Sequence, residues 1–129
     1  NGNDGTQMAG NVVNLAGRDV LVLPGQRVCV RNEADAADLV GLAVERGVPW
    51  VAVPVEACSD DFFWLSTRLA GEIIQKFVNY RLRLVIFGSI RPFSAESPAL
   101  RDFVRESNKG AHVWFVADLA ELEARLIAD

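Results

Sequence analysis

Two groups of polar side chains in this chain of 129 residues have the types and spacing that ligand binding or acid–base chemistry requires. One group recurs every fourth residue, so an acid, an amine and a phenol would share one helix face. The other lies where a later predicted helix ends, and we expect it near the carboxyl ends of the strands, where open α/β sheets bind ligands. A pocket between the two helices would be lined by Glu72, Lys76, Tyr80, Ser107, Asn108 and Lys109.

Both groups also have structural explanations. A Glu-to-Lys pair four residues apart stabilises a helix by about 0.3 to 0.5 kcal/mol, which is reason enough for its presence. Asn108 and Gly110 suit the end of a helix. His112, the one histidine of the sequence, begins a predicted apolar strand, where a structural role is more common than a catalytic one. No phosphate-binding glycine loop and no metal-ligand spacing occurs, so we predict no cofactor, no metal and, on balance, no enzyme.

Composition limits the class of protein. Hydrophobic residues make up 50% of the chain and charged residues 23%, which predicts a folded, soluble protein with a single core. The formal net charge of -4 argues against sequence-independent binding to nucleic acid. A local basic patch that binds a polyanion remains an alternative, although acidic residues interleaved with the arginines favour their interpretation as solvated helix faces. The arginines concerned are Arg81, Arg83, Arg91, Arg101 and Arg105.

The sequence also predicts a location. Cys29 and Cys58 lie far apart in no CxxC spacing, so they are expected to be small buried side chains in a reducing compartment. Neither a signal peptide nor a membrane-spanning run is evident, so we expect a cytoplasmic protein with no membrane partner. The polar stretch 1–10 is predicted to be a disordered tail or tag remnant, which leaves a single α/β domain at 11–129.

Hydrophobic periodicity predicts nine elements. Short apolar runs bounded by turn residues indicate strands, and apolar stripes with capping residues indicate helices. Asn32 is expected to cap the first helix, Ser59 to Asp61 the second, and Ser97 the third. The predicted strands are 12–15, 19–23, 49–55, 82–87 and 112–116, and the predicted helices are 33–46, 62–79, 98 to about 108, and a last one after 118.

This alternation predicts the fold class. An α/β protein is expected, with a mostly parallel five-stranded sheet, an antiparallel edge strand and about four helices. The topology is similar to the STAS fold of anti-sigma-factor antagonists.

Two long motifs, LAGEIIQKFVNY and FVRESNKG, resemble the bacterial family catalogued as domain of unknown function 4180. The resemblance extends from about Asp19 onward. It supports the fold and implies no activity. Trp64 stands where a polar residue is expected in this family, so it is predicted to be an exposed aromatic side chain.

The start of the second predicted helix is the leading candidate for a functional surface. Resemblance to STAS-like proteins implies a regulatory serine at this position, where phosphorylation switches binding to a kinase partner; Ser66 or Thr67 would be its analogue. The STAS signature Asp-Ser-Ser-Gly is absent, and an ordinary first helical turn is the alternative. We therefore predict a regulatory protein-interaction module, with a homodimer as a further possibility. Its partner-binding residues would be Trp64, Ser66, Thr67 and Arg68.

Overall fold

A computed structural model describes residues 10–25 and 30–128, and its centre is a single five-stranded sheet. The strands lie side by side in the order of the chain; the first pair is antiparallel and every later pair is parallel. This arrangement confirms the predicted α/β class and the antiparallel edge strand. The strands are β1 (Asn11–Leu15), β2 (Arg18–Val22), β3 (Trp50–Pro54), β4 (Arg83–Phe87) and β5 (Val113–Val116).

Six helices accompany the sheet within the described residues, and four of them are long. The long ones correspond to the four that the sequence predicts, although one is shorter than expected. The helices are α1 (Glu33–Arg46), α2 (Asp60–Phe63), α3 (Leu69–Asn79), α4 (Arg91–Ser94), α5 (Pro98–Lys109) and α6 (Leu119–Ala128).

The caps of α1 and α5 agree with the sequence. The Asn32 side chain accepts a hydrogen bond from the Asp35 backbone N–H at 2.9 Å, and Ser97 accepts one from Leu100 at 3.1 Å. Gly47 ends α1 in the left-handed conformation, with φ of 68°. Hydrogen bonds from Arg31 lower the pKa of the Asp35 carboxyl, although burial opposes them.

The predicted continuous helix over 62–79 is wrong. The chain forms the short helix α2, then a 3₁₀ turn at Leu65–Thr67, and begins α3 only at Leu69. Arg68 separates the two parts in the left-handed conformation, with φ of 63°. A right-handed helix cannot pass through such a residue, so the chain changes direction there.

The long helices cover the two faces of the sheet unequally. Right-handed crossovers that all step in one direction place their helices on the same face. The three crossover helices α1, α3 and α5 accordingly share one cluster, the first core, with Val51 and Leu84 of the sheet. On the other face, Leu122 of α6 packs with Trp50 and Trp114 in a second core.

Candidate functional site

A groove of about 300 Å³ lies at the carboxyl edge of the parallel strands. The segment that follows β3 forms one wall and the segment that follows β4 forms the other. Carboxyl-edge crevices of this kind are the usual ligand sites of open α/β sheets. The groove, called the Trp64 groove from here on, is lined by Phe63, Trp64, Leu65, Pro92, Phe93, Ala95, Glu96 and Ser97.

Aromatic stacking joins the two walls of the Trp64 groove. The rings of Phe63 and Phe93 are nearly parallel, with centroids 4.4 Å apart, and Phe62 meets Phe63 edge to face at 5.1 Å. Because Phe62 and Phe63 are buried in the first core, this stack ties α2 and α4 to the body of the protein. The groove floor is therefore held by packing rather than by loop backbone alone.

Thr67 fixes the turn that carries Trp64. Its hydroxyl lies 2.8 Å from both the Asp61 and the Trp64 carbonyl oxygens, and it accepts a hydrogen bond from the Leu69 N–H at 3.2 Å. Since one hydroxyl bridges the end of α2 and the start of α3, Thr67 has a clear structural role.

The four predicted partner-binding residues are all exposed. Trp64 is 60% exposed, which confirms the expected surface aromatic, and it lines the groove. Ser66 and Arg68 lie on the adjoining turn rather than on a helix, because the helix is interrupted there. The sequence analysis missed the wall formed by Pro92 and Phe93; the signal was the apolar pair in the loop after Gly88.

Three of the six residues predicted to line the alternative ligand pocket make side-chain contacts with other parts of the chain. Lys76 approaches α1, where its Nζ lies 3.8 Å from Glu33 Oε1. The Asn108 side chain bonds the backbone of β5. Lys109 pairs with Glu106 on the solvent side, at 3.2 Å. Glu72 and Tyr80 are exposed, and Ser107 is partly buried.

The end of α5 also lies at a different edge of the sheet from the one expected. A crossover helix runs antiparallel to the strands that it connects, so its last residues reach the amino ends of those strands. Lys109 accordingly lies beside Arg83, the first residue of β4.

Other predicted features can be located only in part. Cys58 is buried, with its Sγ 3.8 Å from the Pro54 carbonyl oxygen, whereas Cys29 and the tail 1–9 lie outside the described residues. His112 is exposed. In the part of the chain that the structure describes, no group of three or more His, Cys, Asp or Glu residues could hold a metal ion. None of the described helices is long and apolar enough to cross a bilayer.

A family model matches most of the chain. The family model described as "Domain of unknown function (DUF4180)" matches residues 15–126, which include β2 to β5 completely and only the last residue of β1, Leu15. No curated protein and no solved structure matches the chain.

Proposed function

Because the chain belongs to the family Domain of unknown function (DUF4180), whose description carries no activity, we propose a function from the geometry of the chain itself. The protein is a binding module that holds an apolar side chain of a partner protein in the Trp64 groove. The observation that carries this proposal is the 60% exposure of Trp64 on the wall of an aromatic groove.

An exposed tryptophan on the wall of an apolar groove favours binding of a partner protein. Trp is among the residue types enriched at interaction hot spots, and burying it against a partner removes a large apolar area from water. Phe93 and Pro92 supply an apolar opposite wall, so a partner side chain would be enclosed on two sides. Glu96 contributes an exposed carboxylate to the groove, which suits a basic residue beside the inserted apolar one.

Regulation by phosphorylation, as in STAS-like modules, would act at Ser66. Ser66 is exposed and lies two residues from Trp64, so a phosphate there would add about -2 charge beside the groove. Thr67 is less suited, because phosphorylation would remove the hydroxyl that bridges the Asp61 and Trp64 carbonyls. We propose that the protein acts in the bacterial cytoplasm, since the sequence predicts a cytoplasmic protein and the family resemblance implies a bacterial one.

A peptide-display screen on the immobilised chain tests this function. Peptides with an aromatic or large aliphatic residue next to Lys or Arg should be enriched, and their Kd should rise at least tenfold in Trp64→Ala. Tyr80→Ala is the matched control, because Tyr80 is equally exposed, at 61%, yet does not line the groove. Its Kd values should equal those of the wild type.

Three results distinguish binding of a partner protein, self-association and control by charge at Ser66. Equal binding by wild type and Trp64→Ala, or no enriched peptide, would overturn the proposal, provided that far-UV circular dichroism shows both proteins folded. A dimer in gel filtration that Trp64→Ala dissociates would identify the partner as a second copy of the chain. Ser66→Glu should lower the Kd of the selected Lys- or Arg-containing peptides, because it adds negative charge beside the groove, whereas Ser66→Ala should leave the Kd unchanged.

A further inference from the structure

A second groove, of about 520 Å³, opens at the opposite, amino edge of the parallel strands. Its walls come from the start of β4, the connection between α5 and β5, and the end of α6. Three cationic side chains line it, namely Arg83, Lys109 and Arg125, together with Trp114. We call it the basic groove; its volume falls in the range of about 300 to 1,000 Å³ typical of small-molecule sites.

Two tryptophans position the guanidinium groups of the basic groove. Trp50 and Trp114 both belong to the second core, with ring centroids 5.1 Å apart. The Arg83 guanidinium carbon lies 5.1 Å from the Trp50 ring centroid, and that of Arg125 lies 3.8 Å from the Trp114 ring centroid. Both cations are thus fixed on buried aromatic surfaces, which limits the entropy lost when they bind a ligand.

The positive charge of the basic groove is poorly compensated within the described residues. No Asp or Glu is among the described residues that line it. The Arg83 side chain makes no hydrogen bond or ion pair with another side chain or backbone group of the described ranges beyond its contact with Trp50, and Arg125 donates to the Asn108 carbonyl oxygen. Lys109 pairs with Glu106 only at the surface, where such pairs contribute little.

We propose that the basic groove binds a phosphorylated small molecule carrying at least two negative charges. Three converging cations, two of them arginines, suit the bidentate geometry and the charge of a phosphate group. Arg125 already occupies a face of Trp114, so recognition rests on the anionic group rather than on stacking of a base. The net charge of -4 opposes long polyanions, which favours a compact ligand.

Titration with inorganic pyrophosphate, and separately with orthophosphate, at constant ionic strength tests this site. In ¹H–¹⁵N spectra, the Trp114 indole N–H, which bonds the Gly110 carbonyl at 2.8 Å, should shift saturably, as should the Ala111 amide. Arg83→Gln and Lys109→Ala should each raise the Kd at least tenfold. Arg105→Gln is the matched control, since it removes the same charge from an exposed position outside the groove.

Saturable shifts confined to the basic groove, lost in Lys109→Ala and kept in Arg105→Gln, would support the site. Absence of a saturable shift both in the full chain and in the shortened variant described next, or equal weakening by Arg105→Gln, would overturn it, because the latter result would mean a response to net charge alone. Asp129 follows Ala128 of the groove and lies outside the described residues, so the titration is repeated with a variant that ends at Ala128. Saturable binding by either form supports the proposal, and binding by neither overturns it. Trp64→Ala should change nothing here, which separates this test from that of the Trp64 groove.

Discussion

At the scale of single residues, the amide of Asn108 completes the hydrogen bonding of an edge strand. Its Oδ1 accepts from the Phe115 N–H at 2.7 Å, and its Nδ2 donates to the Phe115 carbonyl oxygen at 3.2 Å. β5 has a neighbouring strand on one side only, so these backbone groups would otherwise face outward. One side chain therefore bonds Phe115 as a neighbouring strand would, which explains Asn108 without a ligand.

Replacement of Asn108 should reveal this role. Asn108→Ala removes two hydrogen bonds from a largely buried residue, Phe115, and should lower the free energy of unfolding by about 1 to 3 kcal/mol. Asn108→Asp should also destabilise, because a carboxylate can accept from the Phe115 N–H but cannot donate to its carbonyl. Urea denaturation measures both effects.

A matched asparagine serves as the control for this prediction. Asn79 is exposed, and its Oδ1 accepts only a surface hydrogen bond from Gln75 at 2.8 Å. Asn79→Ala should change the stability by no more than about 0.5 kcal/mol. Equal effects at Asn108 and Asn79 would show that the contact with Phe115 contributes nothing.

At the scale of elements, the strands and the caps Asn32 and Ser97 could be predicted from the sequence, whereas the break at Arg68 could not, and the predicted cap residue Ser59 makes no capping hydrogen bond through its side chain. The apolar stripe Leu65, Leu69, Ile73 and Phe77 keeps helical spacing across the break, so periodicity indicates one helix. Arginine is a good helix former and carries no signal for the left-handed conformation. The break is instead accompanied by contacts that periodicity does not show, namely the tertiary Phe63–Phe93 stack and the local hydrogen bonds of the Thr67 hydroxyl. For the same reason, Trp64 could be predicted as exposed, but its groove could not.

Replacement by glycine should have opposite effects on the free energy of unfolding at the break and within α3. Arg68→Gly should raise the free energy of unfolding by about 0.5 to 1 kcal/mol. It removes a left-handed strain of about 1 to 2 kcal/mol, and this gain exceeds the cost of the extra backbone entropy that glycine gives the unfolded chain. Glu72→Gly, in the right-handed helix α3, should lower it by about 1 kcal/mol. Chemical denaturation compares the two. Destabilisation by Arg68→Gly would mean that the Arg68 side chain contributes contacts that outweigh the strain.

At the scale of the whole molecule, the two cores share one sheet. Successive residues of a strand point to opposite faces, so Trp50 and Ala52 belong to the second core while Val51 and Val53 belong to the first. We therefore expect the two cores to unfold together, because both depend on the same strands. The two grooves lie at opposite edges of this common sheet, so each can be altered without removing residues that line the other.

Shared strands predict a single cooperative unfolding transition. In a Trp64→Phe background, tryptophan fluorescence reports Trp50 and Trp114 of the second core, whereas far-UV circular dichroism reports mainly the helices over the first. The two denaturation curves should coincide.

A substitution in α6 tests the same cooperativity. Leu122→Ala, which opens a cavity under α6, should lower the free energy of unfolding obtained from both curves by the same amount, about 2 to 5 kcal/mol. Ile127→Ala, at a side chain 71% exposed on the same helix, should shift neither curve appreciably. If Leu122→Ala moves the fluorescence curve alone, α6 and the second core unfold separately, and the basic groove, whose wall includes the end of α6, would then open without loss of the Trp64 groove.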